Sequence, residues 1–132
     1  MEAFIQLHRL STDEKHSFMT PEMQVFFREI TRAMHDAGWL YLAFIEINGA
    51  KAAAMLAFNY KGRLLVYNSG YNPATYAELS PGIVLTSLII EDAIKRDIKI
   101  FDFLQGNEVY KYRFGAIDTL VYDTQISRKA GQ

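Results

Sequence analysis

The sequence predicts an α/β fold in which an antiparallel sheet is covered by helices on both faces. Three features point there. Asn48-Gly49 and Lys61-Gly62 separate three runs rich in β-forming residues, the pattern of a three-stranded meander. The first run, Trp39 to Ile47, is apolar with almost no alternation, so both of its faces should be buried. Two segments of helical periodicity flank the meander, one ending at Gly38 and one opening at Ser80-Pro81-Gly82.

In chain order, residues 1–20 read as an irregular or partly helical lead-in, separate from a domain over 21–127 and a tail over 128–132. Thr20 caps the first helix of that domain, with Pro21 at its first position. Phe26, Phe27, Ile30, Ala33, Met34 and Ala37 recur along one face until Gly38 stops it. The strands are Trp39–Ile47, Ala52–Tyr60 and Arg63–Ser69. A loop through Gly70, Asn72 and Pro73 leads to Ser80, which is placed to cap a helix starting at Pro81 and running to about Arg96. Glu91–Lys95 and Asp92–Arg96 are favourable i,i+4 pairs on its narrow polar side. The rest of its surface is apolar enough to need the sheet and a further partner. Ile98–Leu104 is a fourth strand, Gly106–Phe114 a turn or short helix, and Ile117–Ile126 a last strand.

Composition narrows the function classes. Half of the 132 residues are hydrophobic, and a net charge of -1 provides no global attraction for nucleic acid or an anionic membrane. With no cysteine, disulfides, thiolate catalysis and cysteine-based metal sites are excluded. No apolar stretch reaches the ~20 residues needed to cross a bilayer, and the start lacks a signal-peptide pattern, so a cytoplasmic protein is expected. His8, His16 and His35 lack ligand spacing and read as surface histidines, so no metal is expected. Met19, Met23, Met34 and Met55 read as core filler.

Two segments stand out chemically. At Ser69-Gly70 a strand ends, and at Ser80-Pro81-Gly82-Ile83 a helix begins whose unpaired N–H groups and positive dipole end point back toward it. That arrangement takes phosphate or carboxylate, and an ordinary capped helix is the competing reading. In the second segment, Phe101 to Gly115, Asp102 shares a strand face with Ile98 and Ile100 and needs a partner there. Lys111, Arg113 or backbone N–H groups are the nearest donors. An ion pair pinning the short helix to the strand competes with a catalytic role.

On these residues the chain resembles the GNAT-like acetyltransferase domain of CelD-type cellulose-biosynthesis proteins, itself similar to the second domain of the Fem peptidyltransferases. The likeness covers about three quarters of the chain. Its distinctive pieces are the Ser-Pro-Gly helix start and the run Asp-Phe-Leu-x-Gly-x-Glu-x-Tyr-Lys-x-x-Phe-Gly from Asp102 to Gly115. The resemblance implies a GNAT fold, a central mixed and mostly antiparallel sheet splayed between the strands ending near Ser69 and Leu104. An acyl donor would lie in the splay and face the helix that starts at Pro81. It implies cofactor contacts at Ser69, Gly70, Ser80, Pro81, Gly82 and Ile83. The donor it implies is a thioester such as acyl-CoA or an aminoacyl ester, and Ala77–Gly82 retains only a remnant of the usual phosphate loop. Tyr110-Lys111 looks like the aromatic-lysine pair of Fem enzymes, with Lys111 stabilising charge on the acyl carbonyl.

The implied function is acyl or aminoacyl transfer to an amine, in cell-envelope or polysaccharide metabolism. Asp102, Glu108 and Tyr110 are the candidates for general base. A silent docking or dimerisation domain and an acyl-CoA sensor are the rival readings. A homodimer, or a second domain of the same kind in a longer parent protein, would cover the excess apolar surface.

Overall fold

The computed structural model describes residues 1–129 and Gly131; Ala130 and Gln132, in the expected tail, lie outside the described residues. The elements are α1 (Glu2–Ser11), α2 (Asp13–Phe18), α3 (Pro21–Asp36), β1 (Leu40–Ile47), β2 (Ala50–Tyr60), β3 (Arg63–Tyr71), a 3₁₀ turn (Ala77–Leu79), α4 (Pro81–Lys95), β4 (Ile100–Asp102) and α5 (Val109–Arg113). The sheet runs β1-β2-β3-β4, antiparallel through the first three strands and parallel between β3 and β4. Both tight turns carry left-handed residue pairs, Asn48-Gly49 and Lys61-Gly62, the geometry that matches strand twist in a two-residue hairpin.

The meander is covered on both faces, as its composition predicts. Ala53, Met55 and Ala57 of β2 join Leu64 and Val66 against Leu85, Ile89 and Ala93 of α4. The alternate β2 residues Ala54 and Leu56 face Phe4, Ile5, Leu7, Met19 and Phe27. β1 divides in the same way: Tyr41, Ala43 and Ile45 pack on the first cluster, and Leu40, Leu42 and Phe44 on the second. The apolar run Trp39–Ile47 therefore follows from a strand that is packed, though only partly buried, on both faces.

The first twenty residues depart from the expected irregular or partly helical lead-in. They form α1 and α2, and Phe4 and Phe27 are both fully buried. The reason is the face of α1: Phe4, Ile5, Leu7, His8 and Ser11 turn the same way, onto the sheet. His8 is consequently not a surface residue. It is 1% exposed, its ring lies within about 6 Å of those of Phe4, Phe18 and Phe27, and its Nδ1 has no hydrogen-bond partner among the described residues.

Burial holds the His8 pKa down at about 4, the Lys15 charge adds to the depression, and a hydrogen bond with Asn68 opposes it. Because the folded value lies below the unfolded ~6.5, the unfolded chain binds the extra proton in between. Stability should be intact above pH 6.5 and fall as the pH drops toward 4. The loss is roughly 3 kcal/mol across that window, at about 1.4 kcal/mol per pH unit. Urea titrations at pH 7 and 4.5 check this, and His8→Gln is expected to flatten the difference.

Two strand assignments also change. β4 is three residues long, not Ile98–Leu104, and residues 117–126 form no strand. Ile117, Leu120, Val121, Tyr122 and Ile126 are 75–93% exposed, because the short β4 edge gives them no ladder to join. The two pairs expected on α4 are present, Lys95–Glu91 at 2.5 Å and Arg96–Asp92 at 2.8 Å.

Candidate functional site

β3 and β4 pair only from Arg63 to Leu65, against Ile100 to Asp102, and then part. The opening is the expected splay. A register shift opposite Leu56–Ala57 puts an extra residue, Tyr67, into β3 just after the last residue paired with β4. Such a bulge bends the strand away from its neighbour. The cleft that results has a volume of about 570 Å³. Its lining joins the end of β3 (Ser69, Gly70, Tyr71), the start of α4 (Ser80 to Ile83), Glu108 and Tyr110, and Lys15 of α2. The six residues expected at a donor site, Ser69, Gly70, Ser80, Pro81, Gly82 and Ile83, all lie on it.

The β3 wall is an unpaired strand edge. Asn72 N–H donates to Ala52 C=O at 3.1 Å, and Tyr71 and Ser69 are the next positions opposite Ala53 and Met55. Antiparallel alternation therefore turns the N–H and C=O groups of Tyr71 and Ser69 away from β2. The N-terminal helices satisfy most of them. Tyr71 N–H donates to Ser11 Oγ at 2.8 Å, and the Lys15 ammonium donates to Ser69 C=O at 2.6 Å. Asn68 Oδ1 accepts from Ser69 N–H at 3.0 Å. Gly70 sits where α1 crosses this edge. A Cβ there would come within 2.6 Å of His8 Cα and Leu7 C, so its missing side chain admits the helix backbone.

The α4 wall offers less than a capped helix start. Ser80 is left-handed, at φ 48°, and its side chain makes no cap, contrary to expectation. Its carbonyl instead accepts from both Ile83 N–H and Val84 N–H at 3.1 Å. Pro81 has no N–H, so Gly82 N–H is the one first-turn donor left without a partner among the described residues. A Cβ on Gly82 would meet nothing within 4 Å, which leaves room for a ligand beside that donor.

The expected catalytic residues separate. Tyr110 lines the cleft, and burial, with the Glu108 charge adding, pushes its phenol pKa up. Lys111 does not line the cleft: its side chain is 7% exposed, and its ammonium lies 2.8 Å from Glu108 Oε2. It also donates to Gln105 C=O at 3.0 Å and to Gly106 C=O at 3.4 Å. That hydrogen bond from Lys111 is the main reason the Glu108 pKa is lowered. Asp102 is paired, but not with Lys111 or Arg113. It accepts from Arg63 Nη2 at 3.1 Å and from Leu104 N–H at 2.8 Å, outside the cleft lining. Arg63 is on the neighbouring strand, opposite Ile100 and two positions from Leu65, the register partner of Asp102.

Sequence reasoning missed Lys15 and Ser11. Each acts across more than fifty residues of chain, and α2 has no buried residue to mark it. Among the described residues no group of three or more histidines or carboxylates could hold a metal, and no helix is long and apolar enough to cross a membrane.

No curated protein and no solved structure matches the chain. The family model described as acetyltransferase (GNAT) domain matches residues 1–112, from α1 into α5, and so takes in every element that builds the cleft. With the mixed sheet and its splay, that match places this chain in the acetyltransferase (GNAT) domain family.

Proposed function

We propose that the domain transfers an acyl group from a thioester donor of the acyl-CoA type to an amine, and that the transfer takes place in the β3–β4 cleft. One observation carries this reading: the cleft brings a proton acceptor and a proton donor together beside an open helix start. Glu108, held anionic by Lys111, is suited to take a proton from the attacking amine. Tyr110, kept protonated by burial, is suited to give one to the departing thiolate. Environments that push two titrating groups apart in this way fit an acid and base pair. Lys111 then serves as a positioning residue that orients Glu108. Asp102, held by Arg63, would secure the start of the splay.

Gly82 N–H and the open space beside it would receive an anionic group of the donor. The likeness of the Asp102–Gly115 run to CelD-type and Fem proteins supports an aminoacyl or acyl acceptor in cell-envelope or polysaccharide metabolism. The test is calorimetry with acetyl-CoA. Wild type is expected to bind, and Gly82→Asp to bind about tenfold more weakly, an effect of roughly 1.4 kcal/mol. Equal binding by the variant would remove the α4 start from the site.

A second reading rests on a specific feature. Only one first-turn N–H of α4 is unclaimed, while Ile83, Val84, Leu88 and Ile94 of α4 and residues 117–126 expose apolar side chains. These favour a silent domain that docks on a second copy or a second domain. No heat and no melting shift with millimolar acetyl-CoA would select it.

A further inference from the structure

The family resemblance assigns the cation of the reaction to Lys111, yet the three acceptors around that ammonium are Glu108, Gln105 C=O and Gly106 C=O. A lysine ammonium has three donors. Lys111 therefore has an acceptor for each and none to spare for a substrate oxygen. It also lies behind the cleft lining.

The cation on the lining is Lys15. It comes from α2, sits part-buried against the open edge of β3, and has among the described residues a single protein acceptor, Ser69 C=O at 2.6 Å. Among the described residues no carboxylate forms an ion pair with it. Burial pushes its pKa down, and the charge of Glu14 opposes the shift. Two donors remain for whatever occupies the cleft, and partial burial strengthens what they do. Tyr110 and Glu108, the acid and base proposed above, line the same cleft.

We infer that Lys15, held by Ser69 C=O, is the catalytic residue that meets the carbonyl oxygen of the acyl donor and stabilises the charge it acquires. The inference rests on the acyl-transfer reading. As the amine nitrogen bonds to the carbonyl carbon, the electron pair of the C=O bond moves onto oxygen, beside the ammonium. It returns when the C–S bond breaks, and the thiolate takes the Tyr110 proton. Glu108 takes the proton lost by the amine, and Lys15 keeps its own.

The experiment is isotope-edited infrared spectroscopy of [1-¹³C]acetyl-CoA, with calorimetry on acetyl-CoA and on coenzyme A alone. In wild type the carbonyl band should move to lower wavenumber on binding. Lys15→Met should abolish that shift and weaken acetyl-CoA more than coenzyme A, and Lys15→Arg should restore part of the shift. Lys15 also ties α2 to β3, so a measurement on the unaltered chain stands beside the variant. With lysine ammonium groups ¹⁵N-labelled, the Lys15 resonance should shift with acetyl-CoA and not with coenzyme A. A wild type that binds acetyl-CoA with an unshifted carbonyl overturns the assignment and leaves acyl transfer standing. So does a shift that survives in Lys15→Met, one that disappears in Lys111→Met instead, or a Lys15 resonance indifferent to the acetyl group. A wild type that does not bind acetyl-CoA overturns both.

Discussion

Gly70→Ala should lower stability by at least about 3 kcal/mol, the upper end of the usual cost of forcing atoms into a packed interior. The added methyl would lie on the backbone of Leu7 and His8, within 2.6 Å of His8 Cα. No side-chain rotation relieves a collision with backbone. α1 must lift from β3, and Phe4, Ile5 and Leu7 must leave their cluster with Leu56 and Phe27. At roughly 4 °C per kcal/mol for a domain of this size, the melting temperature should fall by about 10 °C or more. Gly82→Ala is the control, since a Cβ there has nothing within 4 Å and should leave stability nearly unchanged. If both alanine variants melt with wild type, α1 does not cross β3 as described.

Tyr110→Phe should leave the fold and donor affinity close to wild type and reduce transfer by about 10²–10⁴, the usual contribution of one positioned proton donor. The phenol is the only polar group lost, and no protein hydrogen bond to its oxygen is broken among the described residues. Its ring keeps the edge-on contact with Phe103, 6.0 Å between centroids, which anchors α5 to the residues after β4. The decisive readout is the high-pH limb of the rate profile. In wild type, activity should fall as pH rises through the elevated Tyr110 pKa, and in the variant that limb should disappear. A rate within twofold of wild type, with the limb unchanged, would give the proton-donor role to another group.

Much of the fold was legible in the sequence because local chemistry wrote it. Asn48-Gly49 and Lys61-Gly62 set the turns, Thr20-Pro21 set the start of α3, with Thr20 Oγ1 accepting from Met23 N–H at 3.2 Å, and unbroken apolar runs marked strands with two buried faces. The donor wall was legible for the same reason, since strand end, loop and helix start are neighbours in sequence. What escaped depends on distant pairs. Whether Lys111 turns toward the cleft or toward Glu108 is decided by the path of 105–108, where Gly106 adopts φ 114° and leaves room for the Glu108 carboxylate. Asp102 found Arg63 because of the parallel register, which no spacing along the chain encodes. Ser80 looked like a cap by residue type, but a left-handed backbone carried its hydroxyl away from the helix. Residues 117–126 have strand composition, and composition cannot supply a neighbouring strand.

The placement of α1 on the far edge of β3 also sets an order of assembly. α1 precedes the meander in the chain, yet Ser11 and its acceptor on Tyr71 are separated by 60 residues. The meander closes through two-residue turns and can form early, whereas α1 must wait for β3 and then pay the larger entropy of closing a long loop. Until it docks, Phe4, Ile5 and Leu7 are exposed and the β3 edge is unpaired, a combination prone to association between nascent chains. The cleft is thus completed last, by a segment made before the strands it covers.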